Sequence, residues 1–200
     1  MSIELTASER IARIRSDFRM GVAVAFRSGL EKWLVASSET ITLSRFNGMR
    51  KLGPLELAIT DWRAQTLSTW ATDGDIARLA IPDDKDLDWV HSVCDPSDDF
   101  NTPLKGPFTP IFGGSADVSR TALAICKTAH LIPSAVMVNI TDQDIVGLDF
   151  IDLKQILSLI LNPSNQLIEV SAANVPLQVA EVSRVHVFRP QDGGEEHYAI

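Results

Sequence analysis

Apolar residues recur along the chain with two spacings, and the alternation between them predicts an α+β protein. From Ser8 to Phe18, Ile11, Ile14 and Phe18 share one helical face, with Ser8 as N-cap and Gly21 as the stop. Two short apolar runs follow, Val22–Phe26 and Trp33–Ala36. The connection Arg27–Lys32 is short enough to pair them as a hairpin. Thr40 to Leu52 predicts a helix ending near Gly53-Pro54. Leu55–Ile59 predicts a strand, and Thr60 or Asp61 can cap the helix that runs on through Leu67.

Residues 73–114 break this rhythm. They hold five of the ten prolines and a dense set of aspartates, which predicts a mostly irregular loop with one short helix near Leu87–Val93. Loops of that length in a compact domain are often functional. A helix then runs from Asp117 to Ala129, capped by Asp117 or Ser119, with Ala122, Ala124 and Ala129 allowing close packing and Pro133 stopping it. Ala135–Ile140 is the clearest buried strand.

The last helix, Asp152–Leu161, carries Leu153, Ile156, Leu157 and Ile160 as a stripe and stops at Asn162-Pro163. Strand-like segments follow at Leu167–Val170, Val182–Phe188 and Glu196–Ile200, with a turn at Gln191–Gly194. The pattern thus predicts one domain over residues 1–165, a mixed sheet covered by helices. Its strands lie near 22–26, 33–37, 55–60 and 135–140. Residues 166–200 form strands of an incomplete second domain, because the chain stops inside its last strand candidate.

Composition narrows the functional classes. The 200 residues are 45% apolar and 22% charged, enough to bury a core. A net charge of −8 disfavours phosphate backbones, so no nucleic acid partner is expected. No apolar run approaches the roughly 20 residues that span a bilayer, and the N-terminus lacks a signal-peptide pattern, so no membrane partner is expected either. Cys94 and Cys126 are too few for a disulfide framework and suit a reducing cytoplasm. They read as packed apolar residues. The histidines at 91, 130, 186 and 197 have no zinc spacing and read as exposed or hydrogen-bonded.

Little else carries chemistry. Gly113-Gly114 before a helix could seat an anion, but Asp117 repels phosphate and no Lys-Ser or Lys-Thr follows, which excludes a P-loop. Asp95, Asp98 and Asp99 could offer oxygen ligands to a hard cation, although Asp-Pro-Ser is also ordinary turn chemistry. Arg63 falls in the first turn of its helix, where a cation opposes the helix dipole. It needs a partner there, either a carboxylate or a bound anion. The carboxylate is favoured, and the Asp95–Asp99 loop is the obvious source.

Taken in order, several segments resemble a known family. They are Ile11–Arg15, Gly21–Val24, Leu34–Glu39, Ile59-Thr60 with Arg63-Ala64 and Leu67, Asp99-Phe100 with Pro103-Leu104, and Ala129–Pro133. Over residues 8–145 the pattern resembles 3,4-dihydroxy-2-butanone-4-phosphate synthase of riboflavin biosynthesis. It is closest to the divergent form of that domain that precedes the catalytic domain of some GTP cyclohydrolase II proteins. Val175–Leu177 and Val187–Ile200 resemble the opening strands of the cyclohydrolase domain. That domain would bring a Cys-x10-Cys-x-Cys zinc site further on, so zinc is expected there and no cofactor in this chain.

The departures from the synthase pattern are large. The resemblance places an acidic loop between the first two strands, where this chain has Arg27–Lys32 with Glu31 alone. It places Gly-His-Thr-Glu at Asp117–Arg120, so the metal-binding histidine is Val118 and the glutamate is Arg120. The resemblance therefore implies a non-catalytic module that serves folding, dimerisation or regulation of an attached cyclohydrolase. A homodimer and the chain's own C-terminal cyclohydrolase domain are the expected partners. The alternative is an enzyme or binding domain whose remodelled pocket holds a phosphosugar or nucleotide through Arg63, Asp95, Asp99, Lys105 and Arg120.

Overall fold

The computed structural model describes residues 5–142, 145, 147–161, 167–177, 180–191 and 194–200. The chain divides into two compact units. The larger runs from Ile14 to Gln155, and the smaller takes the described residues up to Arg13 and from Ile156 onward.

The first helix, α1 (Ala7–Arg19), starts one residue before the expected cap. Thr6 and Glu9 form a reciprocal box, in which the Thr6 amide donates to Glu9 Oε2 at 2.7 Å and the Glu9 amide donates to Thr6 Oγ1 at 3.3 Å. Ser8 therefore lies inside the helix. Gly21 ends it as expected, at a φ of +65°. β1 (Val24–Ser28) and β2 (Glu31–Ser37) form the antiparallel hairpin, with Ser28 opposite Glu31. Its turn is only Gly29-Leu30, shorter than the expected six residues. Arg27 and Lys32 join the ladder, and each lays its charged end over the Phe150 ring.

α2 (Leu43–Arg50) is capped by Thr42 and is shorter than its pattern suggested. β3 (Leu55–Thr60) and α3 (Asp61–Thr66) follow as read, with Thr60 rather than Asp61 as the cap. The largest correction falls in the segment expected to be mostly irregular: β4 (Ile76–Ile81) is a buried strand paired with β3 over six positions. Arg78 at its centre hides the apolar run from a reading of pattern alone. α4 (Leu87–Cys94) matches the expected short helix, and β5 (Thr109–Pro110) adds an edge beside β4.

α5 (Asp117–Thr128) is capped by Ala116, with no side-chain hydrogen bond, so neither Asp117 nor Ser119 caps it. β6 (Ser134–Asn139) pairs on both sides, with β2 and β3. β7 (Phe150–Asp152) runs parallel to β1, and α6 (Leu153–Leu161) follows it. The expected stop at Asn162-Pro163 lies outside the described residues.

The strands from β1 to β7 make one mixed sheet in the order β5-β4-β3-β6-β2-β1-β7. On one face Leu57, Ile59, Leu79, Val136 and Val138 meet Phe46, Val90 and Val93 in a single apolar cluster from which water is excluded. Side chains alternate across a strand, so Met137 faces the other way. Ser119 of α5 donates to its sulfur at 3.5 Å. Helices α2, α3 and α4 therefore cover one face and α5 the other. The second half of α1 lies beside the end of α5, with Arg15 Nε donating to Thr128 Oγ1 and Arg19 Nε to the Ala129 carbonyl, both at 3.0 Å.

In the smaller unit, β8 (Leu167–Leu177), β9 (Ala180–Pro190) and β10 (His197–Ala199) make a separate antiparallel sheet. The first two strands are longer than the pattern indicated. The expected turn at Gln191–Gly194 lies partly outside the described residues.

Gly21 is the tightest corner. A Cβ there would sit 2.0 Å from the Thr40 carbonyl oxygen, whereas a Cβ at Gly29 (φ +62°) would meet nothing within 4 Å. We expect Gly21→Ala to lower the unfolding free energy by about 2–5 kcal/mol, combining left-handed strain with overpacking. Gly29→Ala should lose only about 1–2 kcal/mol from the strain. Urea unfolding midpoints of the two variants check the ordering.

Candidate functional site

Arg63 lies where its position on α3 required, beside a carboxylate of the Asp95–Asp99 loop. Thr60 Oγ1 caps α3 by accepting from the Arg63 amide at 3.2 Å, which leaves the guanidinium opposed to its own helix dipole. The side chain instead reaches the end of α4. Nε donates to the Val93 carbonyl at 2.7 Å, and Nη2 donates to the carbonyls of Ser92 and Asp95, each at 3.2 Å. A helix C-terminus leaves its last carbonyls without partners and is a favourable place for a cation.

Asp99 completes the arrangement with a two-pronged pair, Nη1 to Oδ2 at 2.6 Å and Nη2 to Oδ1 at 2.7 Å. The ammonium of Lys105 also bonds Asp99 Oδ1. Hydrogen bonds from Arg63 first, and from Lys105 second, hold the Asp99 carboxyl well below the usual carboxylate range. The Lys105 carbonyl accepts from Trp89 Nε1 at 3.0 Å, which ties this segment to α4.

Asp95 takes part through its backbone. Its carboxylate accepts from the Ser97 amide at 2.8 Å, which lowers its pKa and caps the short 3-10 turn Pro96–Asp98. The Asp98 side chain, named above as a possible cation ligand, lies outside the described residues.

Arg120 belongs to a second network. Its Nε and Nη2 grip the Asp75 carboxylate at 2.8–3.0 Å, and Nη2 also donates to the Asp73 carbonyl at 3.0 Å. The hydrogen bond to Asp75 raises the Arg120 pKa. Buried Arg78 joins through Asp73, with Nε to Oδ2 at 2.8 Å, and donates to the Gly113 carbonyl at 2.6 Å. Of the five candidate residues, Arg63, Asp99 and Lys105 thus meet directly, Asp95 adds a carbonyl, and Arg120 works elsewhere. Pattern reading missed Arg78. The available signal was Asp73-Gly-Asp75 a few residues upstream, a source of carboxylate for a cation in an apolar run.

Beside Asp99 and Lys105 opens a cleft of about 880 Å³ between residues 66–70, at the end of α3, and the segment 103–112. Trp70 and Phe112 stand at its edge, 75% and 71% exposed. It is built from loops, which leave no periodic signal.

The positions that the synthase resemblance assigns to metal binding hold other chemistry. Val118 is buried in the core and offers no donor atom. Arg120 supplies a cation where a carboxylate is needed. Glu31 accepts from the Trp33 indole at 3.1 Å. This set does not fit magnesium, which takes oxygen ligands. Below α5, Glu56 keeps Oε2 buried without a partner, and that burial raises its pKa.

Both cysteines are buried, as expected. Cys126 donates to the Ser134 carbonyl at 3.4 Å, and burial pushes its thiol up to about 12. His186 pairs with Glu169 at 3.1 Å. His91 departs from the expectation, with Nε2 buried and unpartnered. Among the described residues no group of three or more His, Cys, Asp or Glu could hold a metal ion. No described helix is long and apolar enough to cross a membrane.

The mixed sheet with helices on both faces is the fold of 3,4-dihydroxy-2-butanone 4-phosphate synthase. A two-domain synthase of that name from A. baumannii superposes with a TM-score of 0.56 at 12% identity, covering 94% of this chain and 68% of that one. A synthase in complex with two magnesium ions superposes with a TM-score of 0.53 at 14% identity, covering 78% of this chain and 97% of that one. By sequence, the chain is similar to a GTP cyclohydrolase-2 of Azospirillum brasilense, 27% identical over 206 residues. That match takes in 98% of this chain and 50% of the relative, so the chain spans about half the length of the curated protein it matches. No protein-family model matches the chain.

Asp99 should matter most to stability. Replacing it with Asn leaves Arg63 and Lys105 without their anion, and we expect a loss of about 2–4 kcal/mol, a little less than for a fully buried pair. Because its pKa is lowered in the folded state, this stabilisation is complete above about pH 4 and fades as the pH falls through the lowered value. The gap between wild type and Asp99→Asn in urea unfolding should therefore narrow below about pH 4 and stay constant above it.

Proposed function

We propose that this chain is a synthase-fold module without synthase chemistry, serving the folding, dimerisation or regulation of a GTP cyclohydrolase II domain joined to it. The observation that carries the reading is the start of α5. There Val118 is packed into the core and Arg120 is committed to Asp75 and Asp73. A proton-shuffling, cation-assisted reaction has no acid, base or ligand in those two side chains. The similarity to about half of a GTP cyclohydrolase-2 supports the association with that activity.

In this reading residues 166–200 are the opening strands of the cyclohydrolase domain, and zinc belongs to its cysteines. Riboflavin biosynthesis is the pathway, and the cytoplasm, where Cys94 and Cys126 stay reduced, is the setting. A homodimer is part of the same reading. Ala122 of α5 and Ala129 just after it are buried within the chain itself, which leaves exposed apolar residues of the long loop, Phe100 foremost, to form the contact.

With magnesium and ribulose 5-phosphate, the purified chain should form no butanone phosphate above the protein-free background, and formation of that product would overturn the reading. Light scattering at micromolar concentration should give twice the 21.9 kDa chain mass. A persistent monomer would remove the dimer from the proposal.

A further inference from the structure

The cleft has a buried cation in its wall, and that cation specifies what the cleft can hold. Lys105 is the informative residue. Its side chain is only 3% exposed, yet its ammonium makes one hydrogen bond, to Asp99, and its other two N–H groups meet no acceptor among the described residues. Both Asp99 oxygens are already engaged by Arg63 and Lys105. Asp95 spends its carboxylate on the Ser97 amide. Arg63 and Lys105 thus both donate to the Asp99 carboxylate, and among the described residues the Lys105 ammonium has N–H groups to spare.

The rest of the cleft is mixed, with the hydroxyls of Thr66, Ser68 and Thr69 beside apolar side chains. Trp70, Phe112 and Leu104 line it and are largely exposed, although large apolar side chains gathered at one opening usually mark a binding surface. A volume of about 880 Å³ suits a small molecule.

We propose that this cleft binds a small organic anion with a flat apolar body, the body lying against Trp70 and Phe112 and the acid group accepting from Lys105. A carboxylate, sulfonate or phosphate would supply acceptors for the remaining N–H groups of Lys105. The net charge of −8 on the chain does not prevent this, because salt screens distant charges within about 8 Å.

The probe is anilinonaphthalene sulfonate, compared with phenylnaphthylamine, which has the same rings without the acid. Fluorescence titration of the wild type should show one sulfonate site, with affinity roughly ten-fold above that of the neutral dye, as expected for one charge-assisted contact. Lys105→Met should abolish the preference without weakening the neutral dye, and Lys105→Arg should keep it. Lys105→Met leaves the Arg63–Asp99 pair neutral, so circular dichroism should report a folded chain. Should that variant fail to fold, Thr69→Trp, which fills the cleft from its lining, decides, and sulfonate binding must then be lost. Equal affinity for the two dyes, a preference that survives Lys105→Met, or binding unaffected by Thr69→Trp overturns the proposal. So does exclusion of the dye by a second copy, seen as sulfonate binding that appears only when dilution dissociates the chain.

Discussion

One buried guanidinium organises the loop-rich side of this protein. Arg63 cannot satisfy itself on α3, where it opposes the dipole of its own short helix. Reaching across to α4, it satisfies carbonyls that the helix end leaves bare and binds Asp99 with both prongs. Every acceptor of its guanidinium among the described residues belongs to residues 92–99, so the course of that segment is set by where Arg63 sits on α3. Lys105 follows Asp99, Trp89 follows the Lys105 carbonyl, and the cleft opens beside them. Breaking this half-buried pair costs about 2–4 kcal/mol, a large share of the 5–15 kcal/mol by which a domain is stable.

A second set of arginines does similar work where the chain enters α5. Arg78 faces away from the main apolar cluster, as its alternation with Ala77 and Leu79 requires. With Arg120 it ties Asp73, Asp75 and Gly113 together. In the proposed reading this is what replaces chemistry. A catalytic start to α5 would need polar groups left free for substrate, which is costly to hold folded. Here a valine packs and an arginine pairs, and the same turn contributes stability instead.

The parts legible in the sequence were those that local physics decides. Alternating or continuous apolar runs marked β3 and β6, the short Arg27–Lys32 connection marked a hairpin, and 3.6-residue stripes marked α1 and α6. Arg63 announced a partner because its conflict with the helix dipole is local. Its source in the Asp95–Asp99 loop was legible because that loop was the dense store of carboxylate.

What only the tertiary structure decided shares one physical origin. β4 looked like loop because Arg78 interrupts its apolar run. A buried arginine needs the Asp73 carboxylate and the Gly113 carbonyl, and the second, 35 residues on, reaches it only in the folded chain. The assignment of Arg120 to Asp75, 45 residues away, and the lining of the cleft by two separate loops have the same character. Periodicity records what each residue meets within a few positions along the chain. Neutralising a buried charge depends on a partner brought close by the sheet, and no local spacing encodes that distance.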